Sequence, residues 1–282
     1  MRTIAIPVVL TLAFGSCGTQ REAARPEGRS RVVRTAVIGG MVMTGLWPEI
    51  AKRFEAATGY QVEVVASGPR PLISEPFRAG KADLLTMHSG DITTDLVADG
   101  YGVNMRPWTR NDLVIVGPAA DPAGIAGLAD GAEACRRIAR AQAPFVDFHG
   151  IGTREMSHKL WQKAGVEPKG PWVIPDETDG HLDALTFAQK RGAYIIVGRM
   201  PVLFGKLKAE GMKILVEADP DMRRPYVVME ANPARFPHTN STGARALSDF
   251  LVSRETQEFL AEFGAAKHGR IPLFHPIAAA PH

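Results

Sequence analysis

Apolar positions along this chain fall into two alternating rhythms. Residues 32–38, 61–66 and 82–87 are short β-rich runs and read as strands. Between the first two, Leu46, Ile50, Phe54 and Ala57 recur at helical spacing, with Thr44 placed as a cap, Pro48 in the first turn and Gly59 as the stop. Residues 69–78 and 91–98 read as further helices, ended by Gly80 and Gly100. This βαβαβα order predicts a parallel sheet with helices on both faces.

Beyond residue 100 a second α/β unit follows. Strands are expected at 111–116, 144–148, 171–174, 193–197 and 213–217, with helices at 132–141, 152–164, 182–190 and 201–209. A strand at 225–230 and helices at 242–251 and 256–263 complete the pattern. Two tandem domains would produce this order. So would a bilobal protein whose chain crosses to a second lobe at 111–116 and returns at 225–228. The bilobal arrangement is favoured, because a first unit of about 80 residues gains core from the C-terminal helices. It puts residues 34–112 plus 227–275 in lobe 1 and 117–222 in lobe 2.

The N-terminus departs from this pattern. In MRTIAIPVVLTLAFGSC, Arg2 precedes an apolar run from Ile4 to Phe14, too short to span a bilayer, and Gly15-Ser16 precede Cys17. The segment resembles a bacterial lipoprotein signal: residues 1–16 are removed, Cys17 carries the lipid, and 17–33 form a tether. An ordinary cleaved secretory signal is the alternative. The body is then expected outside the cytoplasm, in the periplasm, anchored to the membrane through Cys17.

Composition narrows the function. The 282 residues are 45% hydrophobic and 22% charged with a formal charge of +3, so neither disorder nor nucleic-acid binding is indicated. Two cysteines exclude a disulfide-stapled fold and a multi-cysteine zinc site, and Cys135 is expected as a buried thiol on a helix.

Three segments carry a specific resemblance: VADGYGVNMRPWTRNDLVIVGPAADPAGI (97–125), AQAPFVDFHGIGT (141–153) and LWQKAGVEPKGPW (160–172). They look like the tungstate-binding family of periplasmic solute receptors of ABC transporters, over about residues 35–275. The resemblance implies an α/β, bilobal type II periplasmic-binding-protein fold, with two α/β lobes joined by two crossover strands and a ligand gripped between them. It also implies an ABC-transporter permease as partner, for a receptor expected to be monomeric. Two departures bear on the ligand. The family's Thr-Thr-Thr-Ser run is replaced by Val37-Ile38-Gly39-Gly40, and Phe148 stands where the family's lobe-two arginine would fall.

Ligands of open α/β sheets bind beyond the carboxyl ends of strands, where loops enter helices and offer free N–H groups. The candidates are therefore Gly39, Gly40, Met41 and Val42; Ser67, Gly68 and Arg70; His88 and Ser89; Gly152 and Thr153; Asp179 and Gly180; and Arg199. The expected ligand is a small anion, an oxyanion or carboxylate, held by backbone N–H groups of 39–42 and 152–153, with Arg70 and Arg199 supplying charge. Each of these residues also has a plain structural use, as a turn glycine, a helix cap or a solvated arginine. Met41, Met43, His88, His149 and His181 allow a soft metal site, which nothing in their spacing requires.

Three function classes stand. The first is a non-enzymatic solute receptor without cofactor that feeds an importer. The second is a sensor or adaptor that keeps the fold with another ligand, a metal or an organic acid. The third is an enzyme using the cleft with His88 or His149 as general base. No G-x-S-x-G, H-E-x-x-H or P-loop is present to support it.

Overall fold

The computed structural model describes residues 30–148, 150, 153–178 and 183–277. The first part alternates strictly: β1 (Val32–Ile38), α1 (Gly39–Met43), α2 (Leu46–Thr58), β2 (Gln61–Gly68), α3 (Arg70–Arg78), β3 (Leu84–His88) and α4 (Asp91–Ala98). A long strand, β4 (Gly102–Pro118), follows. Then come α5 (Gly131–Ala141), β5 (Phe145–Asp147), α6 (Thr153–Ala164), β6 (Val173–Pro175), α7 (Ala184–Lys190), β7 (Tyr194–Gly198), α8 (Arg199–Leu203) and β8 (Met212–Val216). After a 3-10 turn at Pro220–Met222, β9 (Arg223–Ala231), α9 (Ser241–Val252), α10 (Arg254–Glu262) and β10 (His275–Pro276) complete the described chain.

β4 belongs to two sheets. Residues up to Asp112 pair with β9 and β10, in the sheet that also holds β1, β2 and β3. From Leu113 onward β4 pairs with β7 and β8, in the sheet completed by β5 and β6. The strand order β2-β1-β3-β9-β4-β7-β5-β6 therefore runs through β4 as the shared member.

The apolar run after Asp112 follows from this position. Leu113 and Ile115 enter one core with Tyr194 and Ile196, while Val114 and Val116 enter another with Ile195 and Val197. Side chains alternate across a strand, so a strand covered on both faces reads as continuous hydrophobics. A third core fills the first sheet, where Trp47, Phe54, Phe77 and Tyr226 are fully buried and α9 adds Leu247 and Leu251. Met200 of α8 joins this core although α8 follows a strand of the other sheet.

Local expectations fail at three places. Residues 39–43 are already helical, so Gly39–Val42 is not an open loop, and Met41 is fully buried with Thr86 Oγ1 4.0 Å from its sulfur. Thr44 does not open α2. Its hydroxyl donates back to the Gly40 carbonyl at 2.8 Å, and Gly45, at φ 80°, starts the helix in a conformation that suits glycine. The helix expected over 201–209 is the shorter α8, because Gly205 takes φ 67° just beyond it.

Candidate functional site

The strand order β2-β1-β3 places a topological switch point between β1 and β3, since the chain leaves β1 toward one side and enters β3 on the other. Beyond these strand ends lies a cleft of about 270 Å³. Gly40 and Met43 of α1, His88 of β3, and Arg224 and Tyr226 of β9 line it from the first sheet. Phe148, Gly150 and Thr153 line it from the segment between β5 and α6, and Gly198, Met200 and Pro201 from the end of β7 into α8. Asn111 and Leu113, astride the transfer of β4 between sheets, sit between the two groups.

The described lining holds two cations, Lys206 and Arg224, and no carboxylate. Arg224 is 9% exposed, and among the described residues its guanidinium has neither a hydrogen bond nor an ion pair. Burial, with the nearby charge of Arg70 as a lesser contribution, holds it below the ordinary arginine range. His88 stacks on Tyr226 with ring centroids 4.2 Å apart. Its pKa is pushed well below the ordinary value, first by desolvation and then by the positive charges of Arg224 and Arg70, so the ring is neutral. A neutral imidazole offers one donor and one acceptor. Asn111 is buried, and its Oδ1 has no partner.

Of the residues expected from sequence, Gly40, His88 and Thr153 come together here. Gly39 lies instead against Gly68, where an added Cβ would come within 3.4 Å of the Gly68 Cα. Ser67 and Gly68 are ladder partners of Val37 and Ile38 at the end of β2. Met41 belongs to the core, with Val42 packed against it. Arg70 and Ser89 line a neighbouring groove, which meets the cleft at Arg224. The Ser89 N–H is already given to the Pro225 carbonyl at 3.1 Å.

Arg199 is not a cleft charge. It is 3% exposed and donates to Glu217 Oε2 at 2.9 Å, to the His268 carbonyl at 3.0 Å and to the Pro272 carbonyl at 3.3 Å. Gly152, Asp179, Gly180, His149 and His181 lie outside the described residues, as does Cys17. Among the described residues no group of three His, Cys, Asp or Glu side chains is placed to hold a metal ion. No described helix is long and apolar enough to cross a membrane.

Sequence reading missed Arg224, Asn111 and Tyr226. For Asn111 and Tyr226 the usable signal was their place on the strands expected to cross between lobes, at 111–116 and 225–228; Arg224 lies one residue before the second.

Comparison with known proteins agrees with this fold. Residues 35–265 match the family model described as bacterial extracellular solute-binding protein. The chain is 30% identical over 284 residues to the tungstate-binding protein TupA of Peptoclostridium acidaminophilum, covering 96% of each chain. The solved tungstate-binding protein TupA of Desulfovibrio alaskensis G20 superposes with a TM-score of 0.70 at 28% identity, over 88% of this chain and 99% of that one. The tungstate ABC transporter structure from Geobacter sulfurreducens gives 0.65 at 30% identity, over 82% and 98%. With a family match across most of its length and two α/β lobes meeting at a shared strand, the chain belongs to the bacterial extracellular solute-binding proteins and has the type II periplasmic-binding-protein fold.

Proposed function

We propose that the protein is an extracytoplasmic receptor that captures a small oxyanion between its lobes and delivers it to an ABC importer. The observation that carries this reading is the charge of the cleft: its described lining holds Arg224 and Lys206 and no carboxylate. A cation or a metal would meet repulsion there, and an anion would be neutralised. The relatives' tungstate and the glycine-lined start of α1 support the same ligand class. Tungstate itself is one member of the class to test, since Val37-Ile38-Gly39-Gly40 and Phe148 are where the sequence is expected to depart from the tungstate-binding family.

The reading includes lobes of 34–112 with 227–275 and of 117–222, and closure about β4 when the ligand contacts both in one state only. It also includes removal of residues 1–16 and a lipid on Cys17, for which the N-terminal sequence is the support. The test is thermal melting and calorimetry with tungstate, molybdate, sulfate, phosphate, simple carboxylates and divalent metals. An oxyanion should raise the melting temperature, because it binds the native state alone. Stabilisation by a metal and by none of the anions would refute the reading.

A further inference from the structure

The ladder between β4 and β9 places Asn111 opposite Arg224 and Asp112 opposite Arg223. Side chains alternate across a strand, so the two rungs serve opposite faces. On one face the ion pair closes internally: Arg223 Nε donates to Asp112 Oδ1 at 3.3 Å, and His275 Nε2 lies 2.7 Å from Asp112 Oδ2. On the other face nothing closes. Arg224 is more than nine-tenths buried without an acceptor among the described residues, and Asn111, 4% exposed, has an unpaired Oδ1.

Elsewhere the fold supplies partners for its buried charges. Asp83 holds Arg34 at 2.6 Å, and Arg199 holds Glu217 and two carbonyls. Arg70 adds to the imbalance: its Nε is buried without a partner, and it lies against Gly90, where an added Cβ would come within 3.1 Å of Nη1. Leaving buried donors unsatisfied costs free energy, more so for a charged group, unless a ligand offsets it.

We infer that Arg224 and Asn111, facing each other across the β4–β9 ladder, are the groups that recognise the ligand, and that they select an anion with several oxygens. This rests on the receptor reading above and deepens it. The guanidinium fork matches two oxygens of one anion, which a single-atom anion does not offer. Asn111 supplies a third contact, since turning its amide over presents N–H donors in place of Oδ1. Charge thus enters the cleft at Arg224, while the described lining between β5 and α6, Phe148, Gly150 and Thr153, carries none. Because the pair sits where β4 passes from one sheet to the other, the bound anion rests on the strand about which the lobes move.

The test is calorimetry with tungstate, molybdate, sulfate and phosphate on the wild type, Arg224→Met, Arg224→Lys and Asn111→Asp. For whichever oxyanion the wild type binds most tightly, Arg224→Met should lose roughly 10- to 100-fold in affinity. Arg224→Lys, which keeps charge without the fork, should fall between. Asn111→Asp places a carboxylate across from Arg224 and should abolish binding while melting no lower than the wild type, because the pair then closes internally. Ligand-free Arg224→Met should also melt no lower, since it removes an unpaired buried charge. Wild-type affinity in Arg224→Met, with oxyanion binding intact in the wild type, overturns the inference and leaves the receptor reading standing. Failure of the wild type to bind any of the four, or any of the simple carboxylates, overturns the receptor reading, and the inference with it.

Discussion

Arg199 Nε lies 2.9 Å from Glu217 Oε2, and the same guanidinium reaches the carbonyls of His268 and Pro272. α8 is thereby tied to the segment that follows α10, and Phe204 adds a ring contact to His268 at 5.6 Å. Replacing Arg199 with Met should therefore weaken the fold more than the ligand site. Two carbonyls lose a charged donor, while Glu217, more than a third exposed, recovers part of its hydration. We expect a loss of about 2 kcal/mol in denaturant unfolding. Anion affinity in the folded variant should stay within about threefold of wild type, less than one charge-assisted hydrogen bond would contribute. A large affinity loss at unchanged stability would return Arg199 to the cleft.

The contrast between Arg199 and Arg224 shows which parts of the site sequence can reveal. Leu113–Val116 is legible as a strand because both its faces are covered, so apolar character alone marks it. The positions beyond β1 and β3 are legible for a similar reason: alternating strands and helices determine which loop ends meet, and His88 and Gly40 are there. The direction of a long charged side chain is not local information. Arg199 reads as a strand-end charge, but its partners His268 and Pro272 come from a segment far along the chain. Arg223 and Arg224 are neighbours in sequence, and only the register of β9 against β4 separates the paired arginine from the unpaired one.

His88 provides a pH test. Desolvation, then Arg224 and Arg70, disfavours its imidazolium, so the folded-state pKa lies below the ordinary value of 6.5. As pH falls through 6.5 the unfolded chain takes up a proton that the native ring refuses, so stability drops. The loss ends once pH falls below the folded pKa. The slope from this single group cannot exceed about 1.4 kcal/mol per pH unit. In ligand-free protein, imidazole NMR should show His88 still neutral near pH 6, and His88→Asn should flatten the stability curve in that window. A native ring that titrates at 6.5 or above would contradict the assigned environment.

Cys135 sits in α5 with no exposure, and burial pushes its thiol up to about 12. The reactive form is the thiolate, so the native thiol should be inert at pH 8. In a Cys17→Ser chain, where Cys135 is the remaining cysteine, a thiol reagent should label the protein only as fast as it unfolds. Labelling in denaturant should be complete and immediate. Rapid native labelling would mean that α5 opens locally, away from the core it shares with Trp161 and Tyr194.

Gly40 offers a way to separate packing from binding at the start of α1. It lines the cleft, its backbone is not in the left-handed region, and an added Cβ would stand 3.8 Å from the Met200 methyl and 4.0 Å from the Tyr226 hydroxyl. Those are ordinary van der Waals distances, so Gly40→Ala should fold without strain. Because alanine restricts the unfolded chain more than glycine does, stability should stay level or rise by about 0.5 kcal/mol. The methyl would occupy space through which a ligand approaches bare backbone, so affinity for an oxyanion should fall, by roughly tenfold if one N–H contact is lost. Larger residues would press on Met200 and Tyr226 and confound the comparison, which makes alanine the informative substitution. Unchanged affinity in a stable Gly40→Ala variant would move the ligand away from α1 and toward the Asn111–Arg224 side of the cleft.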